Sequence, residues 1–169
     1  MPIDNYSVIE DYFKVNTDWQ AAANLLYKNS KGSQQTPNVL WFKIKNRRLF
    51  DELPDLKAFF EKINKDHGSE YFDDCTFYDD WQTGMCNCKG IWHVDGPVIS
   101  LDDGAISPHN DVMDSAYLQI LGNSFWRLDG KETIILKPGD VVFVSKDITH
   151  EVWGEGPRMG ILLMALKTL

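Results

Sequence analysis

The chain has 169 residues, 43 % hydrophobic and 25 % charged, with a formal net charge of −8. That is enough for one domain with a sizeable core, and no run approaches the roughly 18 consecutive apolar residues that a membrane-spanning helix needs. The acidic balance weighs against a broad nucleic-acid interface, whose phosphates demand clustered Lys and Arg, and against anionic membranes.

The opening MPIDNYSVIEDYF is acidic and has neither a basic start nor a long apolar stretch. It does not read as a secretory signal, and a soluble, cytoplasmic location is the expectation. Asn16, Thr17 and Asp18 can cap a helix through about Tyr27, with Trp19, Ala22, Ala23, Leu26 and Tyr27 on one face. The polar stretch NSKGSQQTP, residues 29–37, reads as an exposed loop, and Val39 to Ile44 as a strand. Pro54 and Asp55 open a second helix, with Leu56, Phe59, Phe60 and Ile63 at helical spacing and a stop near Gly68; His67 is its solvated end. The cysteines, Cys75, Cys86 and Cys88, are odd in number, which argues against a disulfide framework. The Cys86-x-Cys88 spacing is unlike a four-ligand zinc site, so the three are read as free thiols.

From about Tyr71 the apolar period changes to two. Eight short runs follow Lys89: Ile91–Leu101, Ala105–Ser107, Ala116–Leu121, Phe125–Leu128, Thr133–Leu136, Val141–Val144, Glu151–Trp153 and Met159–Leu166. Gly-, Asp- and Pro-rich turns separate them, and Asp129-Gly130 is a tight hairpin signal. The pattern predicts a mainly β (α+β) chain: a double-stranded β-helix, or cupin jelly roll, with helices from the N-terminal half packed on it. Residues 1–89 form the helical, mixed region and 90–169 the β core of a single domain.

Within SPHNDVMDSAYLQILGNSFWRL, His109 and Asp111 are two apart, so on extended chain both aim to one side while Asn110 faces the other. Two histidines and one carboxylate on one face of a metal form an open iron site. His150, after a Pro-Gly turn, an apolar strand and a polar turn, is the candidate third ligand. A second His-x-Asp, His93 and Asp95, lies inside the first long run and is the weaker candidate. Ser124 and Trp126 share a parity that points into the barrel, and Arg127 should face away.

The segments AISPHNDVMDSAYLQILGNSFWRL and LKPGDVVFVSKDITHEV resemble the cupin-like JmjC hydroxylases. The likeness covers roughly Ile91 to Leu166, about half the chain. It implies a double-stranded β-helix, Fe(II) held by His109, Asp111 and His150, and 2-oxoglutarate as cosubstrate, its oxidative decarboxylation driving hydroxylation. The family anchors the far carboxylate of 2-oxoglutarate with a Lys or Arg two residues past the Gly of Q-x-x-G. That position is Ser124 here, which offers only a neutral hydrogen bond and is kept with Arg158 and Tyr117 as a cofactor-binding candidate. Arg158, eight residues after His150, is the substitute anchor; the competing reading is a solvated strand-end arginine. Tyr117 is either a cosubstrate contact or a core tyrosine, and Gln119 either a substrate contact or a buried amide bonded to backbone.

The reading that follows is an Fe(II)- and 2-oxoglutarate-dependent dioxygenase, a hydroxylase. The alternatives are a cupin metalloprotein that uses the same ligands without 2-oxoglutarate, and a non-catalytic binding module. The substrate is expected to be a small molecule or a peptide rather than nucleic acid or membrane. Barrels of this kind often pair, so a homodimer is one expectation, and no residue designates its interface.

Overall fold

The computed structural model describes residues 5–16, 18, 21, 32–36, 39–42, 54–67, 92–100 and 104–165. The three cysteines, the side chains of His93 and Asp95, and all but Ala21 of the expected Trp19–Tyr27 helix lie outside them. Asp18 Oδ1 accepts from the Ala21 backbone N–H at 3.0 Å, the bond an N-cap residue makes.

All eight runs after Lys89 are strands: β4 (Trp92–Ser100), β5 (Ile106–His109), β6 (Ser115–Leu121), β7 (Ser124–Leu128), β8 (Thr133–Leu136), β9 (Val141–Val144), β10 (His150–Trp153) and β11 (Arg158–Ala165). Three more precede them: β1 (Tyr6–Ile9), β2 (Gly32–Thr36) and β3 (Val39–Phe42). A seven-stranded sheet, β1-β9-β6-β11-β4-β3-β2, faces a four-stranded one, β5-β10-β7-β8, and every pairing is antiparallel. Two such sheets closing on a shared core make the double-stranded β-helix that the alternation predicts.

The shared core is apolar and drawn from both sheets: Val39, Val98, Val142, Val144, Leu162 and Met164 from the large one, Trp126, Leu128, Leu136 and Val152 from the small. Leu118 and Ile120, of opposite parity to Tyr117, are also buried, so β6 is covered on both faces. A strand enclosed on both sides carries a near-continuous apolar run, which is how SAYLQIL reads. At the β7–β8 hairpin both Asp129 (φ 54°) and Gly130 (φ 65°) adopt the left-handed region, as a tight Asp-Gly turn requires.

Two expectations need correction. Residues 32–36, read as exposed loop, form β2, the edge strand beside β3. SQQT carries no apolar residue, so it offers no alternation from which a strand could be read. Helices laid on the barrel are the second. The helix described is α1 (Pro54–His67), and among the described residues it meets the N-terminal segment. Phe59 meets the Tyr12 and Phe13 rings edge-on, Asp55 accepts from the Asn16 backbone N–H at 2.7 Å, and Asp66 accepts from the Tyr12 hydroxyl. That segment is stapled to the barrel by buried Asp140, which accepts from the backbone N–H groups of Asp11 and Lys137 at 2.9 and 2.7 Å. Among the described residues no helix is long and apolar enough to cross a membrane.

Candidate metal centre

The β10–β5 pairing places His150 directly opposite His109. Their rings are 4.3 Å apart, centre to centre. Asp111, two residues past His109, turns back between them: its Oδ1 is 3.7 Å from His109 Nε2 and its Oδ2 3.5 Å from His150 Nε2. One ligand atom from each of the three lies within 4.8 Å of the others. Bonds of about 2.1 Å meeting at one ion put neighbouring ligand atoms about 3–3.5 Å apart, so small side-chain movements close the set around a divalent cation. Asn110 points the other way, as alternation requires. It accepts from Thr149 Oγ1 at 2.7 Å, clipping the His-x-Asp stretch to the turn before His150.

The histidine tautomers are set locally. His109 Nδ1 is 2.7 Å from the Ser107 carbonyl and His150 Nδ1 is 3.1 Å from the Ile148 carbonyl. Each bond requires a proton on Nδ1 and leaves Nε2, on the Asp111 side, with its lone pair free for a metal. Burial pushes the His150 imidazole below its ordinary value, against the pull of the Ile148 carbonyl and the Asp111 charge, which favours the neutral, ligating form. Side-chain exposure falls from 39 % at His109 through 19 % at Asp111 to 4 % at His150, so the site opens at the His109 side and closes at His150.

The three ligands line one pocket with Tyr117 and Arg158. The pocket is open to solvent on one side, and its remaining walls are mainly apolar, among them Val98, Ile106, Trp126, Val152 and Leu162. Arg158 starts β11 with 4 % of its surface exposed. One arm of its guanidinium, Nη2, donates to the Gly104 carbonyl. The other, Nη1, is buried and has no hydrogen-bond partner among the described residues. A Cβ at position 154 would lie 2.7 Å from that Nη1 and 2.9 Å from Cζ, so the guanidinium occupies space that only a glycine leaves free. Burial lowers the Arg158 pKa from its ordinary value, which reflects a cation held away from water.

Tyr117 is equally enclosed. Burial holds its phenol up at about 12, with the Arg158 charge pulling the other way, so it keeps its proton and remains a donor at neutral pH. Its ring lies over Gly160, where any Cβ would collide with it. Ser124, the position at which a basic anchor is expected, does not line the pocket. It is fully buried and bonded to Gln119 and Trp126. Gln119 is bonded to backbone, its amide donating to the Leu121 and Gly122 carbonyls. Arg127 faces away and pairs with Glu151 at 2.7 Å. His93 sits opposite Met164 in the β4–β11 register. Sequence reasoning had no signal for the backbone partners of the two histidines, because a carbonyl acceptor leaves no mark on residue type.

No family model matches the chain, and no curated protein does. Solved structures share its fold. Escherichia coli ycfD is 14 % identical with a TM-score of 0.54, over 95 % of this chain and 49 % of its own. KdgF from Halomonas sp. is 12 % identical with a TM-score of 0.50, over 83 % of this chain and 91 % of its own. A cupin superfamily protein from Desulfitobacterium hafniense is 21 % identical with a TM-score of 0.42, over 46 % of this chain and 69 % of its own. The chain spans about half the length of ycfD. At these identities the likeness is one of fold, the double-stranded β-helix.

Two outcomes follow from the geometry. Asp111→Ala should abolish binding of a divalent metal ion, whereas Asp95→Ala should leave it intact; the reverse result would move the site to the other His-x-Asp. The Tyr117 phenol ionises near 10.0 in the unfolded chain and near 12 in the folded one. Stability from its burial is therefore complete below pH 10 and is lost as pH rises to 12, by about 3 kcal/mol. Melting curves across that range should show the decline in the wild type and a shallower one in Tyr117→Phe. Identical slopes would place the phenol in water.

Proposed function

We propose that the chain is a non-haem Fe(II)- and 2-oxoglutarate-dependent dioxygenase that hydroxylates its substrate. His109, Asp111 and His150 hold the metal, and Arg158 with Tyr117 receives the far carboxylate of the cosubstrate. The observation that carries this reading is the Arg158 guanidinium, buried in the same pocket as the ligand group with Nη1 unpartnered among the described residues. A buried donor without an acceptor is costly, and a buried cation without a countercharge more so. A carboxylate ligand supplies both.

Charge points the same way. With a divalent ion bound, Asp111 and Arg158 leave the described pocket lining two positive charges in excess. A dicarboxylate dianion neutralises them, with one end at the metal and the other at Arg158. Iron and 2-oxoglutarate, when bound, supply O2 activation coupled to oxidative decarboxylation. The chain's own residues do the rest. The two Nδ1–H bonds hold the imidazoles with Nε2 turned inward. Asp111 contributes the charge that selects a hard divalent cation over none. Tyr117, still protonated, donates beside the guanidinium, and the apolar walls keep water from the dianion. The substrate, a small molecule or a peptide, enters at the His109 side, where Val112 stands 77 % exposed beside Asp111.

Calorimetric titration of the Mn(II)-loaded protein with 2-oxoglutarate tests the reading. Wild type should bind it, and Arg158→Leu should bind it about 100-fold more weakly, the scale of losing a charge-assisted bond in a buried site. Retention of affinity in Arg158→Leu would remove Arg158 as the anchor. No binding by a wild type that holds Mn(II) would favour a cupin metalloprotein that works without 2-oxoglutarate.

A further inference from the structure

Ser124 is buried, stands outside the pocket lining, and is committed at both its proton and its lone pairs. Trp126 Nε1–H donates to Ser124 Oγ at 2.8 Å, and Ser124 Oγ donates to Gln119 Oε1 at 2.6 Å. Gln119 Nε2 donates onward to the Leu121 and Gly122 carbonyls at 2.8 and 2.9 Å. The chain has one possible direction. An indole can only donate and a backbone carbonyl can only accept, so the serine proton and the orientation of the Gln119 amide are both determined by the ends.

Both ends reach the site. The Trp126 ring stacks on His150, with centroids 5.7 Å apart and planes at 21°, and packs on Tyr117 at 5.1 Å. At the other end, a Cβ at Gly122 would lie 3.0 Å from Arg158 Cβ and 3.1 Å from its Cα, so the turn that Gln119 pins is the surface on which Arg158 rests. We propose that Ser124 is a positioning residue: through Trp126 it holds the His150 imidazole, and through Gln119 the turn behind Arg158. One buried chain of hydrogen bonds thus ties the metal end of the pocket to its cation end. This rests on the reading of His150 as a ligand. Without the hydroxyl, the indole N–H and Gln119 Oε1 are left buried without partners, and the indole must turn or admit water to recover one. Either response releases the face of the His150 ring.

The test uses the full chain, first without metal and then with Co(II). In Ser124→Ala, amide resonances remote from the pocket should stay in place while the Trp126 indole signal and the His150 imidazole signals shift. Co(II) affinity should fall about tenfold, the range for losing a residue that orients a ligand. Trp126→Phe should give a comparable loss, and the double variant should be no worse than the worse single one, because the two act in series. A purely structural serine would lower the melting temperature and leave His150 where it was. Unmoved His150 signals with unchanged Co(II) affinity in Ser124→Ala overturn the proposal, as do losses that add in the double variant. Should Ser124→Ala fail to fold, Trp126→Phe decides alone: His150 signals that stay put overturn the proposal. A wild type that binds no Co(II) would defeat the metal reading, and the His150 signals of the metal-free protein would then judge the relay by themselves.

Discussion

Residues directly opposite one another in an antiparallel pair lie about 4.5–5.5 Å apart, close enough for their side chains to share a ligand. In this chain that rule brings His150 of β10 across from His109 of β5, 41 positions earlier in sequence. The remaining geometry depends on that pairing. Asp111 follows from alternation along the chain that leaves β5, and the Asn110–Thr149 bond holds the two segments in register on the solvent side. The same local device then orients both imidazoles, each Nδ1 turned to the carbonyl two residues before it. The tautomer that frees Nε2 is a property of the backbone, present before any ion arrives.

The cation end of the pocket obeys a different constraint. Arg158 is drawn inside at the start of β11, where Gly154 leaves room for its guanidinium and Gly122 for its base. One arm is satisfied by the Gly104 carbonyl, and the other is buried beside Gly154 with no hydrogen-bond partner among the described residues, in a pocket it lines together with a phenol that burial keeps protonated. Such an arrangement is unfavourable for the protein alone and favourable with an anion in place, which is how binding sites are commonly distinguished from cores. The His109, Asp111 and His150 group and the guanidinium share one set of apolar walls, as the proposed cosubstrate would require.

Much of this was legible in the sequence, and the exceptions have physical reasons. The eight runs between explicit turns gave the barrel, because strands that pack one face on a core must alternate and Asp-Gly and Pro-Gly turns break them. The parity of 109, 111, 124, 126 and 127 gave the directions of those side chains. The two edge strands of the seven-stranded sheet did not show, whereas those of the four-stranded sheet did. GSQQT carries no apolar residue to mark an alternation, and YSVI is a run of four inside an acidic stretch. The work of Ser124 was also hidden. Parity sends it inward but cannot tell that a tryptophan two residues on and a glutamine five residues back would consume its hydrogen bonds. Nor can parity tell that Arg158 is buried rather than solvated, since that depends on glycines at 154 and 122 that it meets only in three dimensions.

The most direct measurement is anaerobic titration of the Fe(II)-loaded protein with 2-oxoglutarate, followed by visible absorption. Bidentate chelation of the iron by the keto acid should produce a metal-to-ligand charge-transfer band that saturates at one equivalent and is absent in Asp111→Ala. Iron that binds at His109, Asp111 and His150 and develops no such band at any concentration of the keto acid would contradict the account.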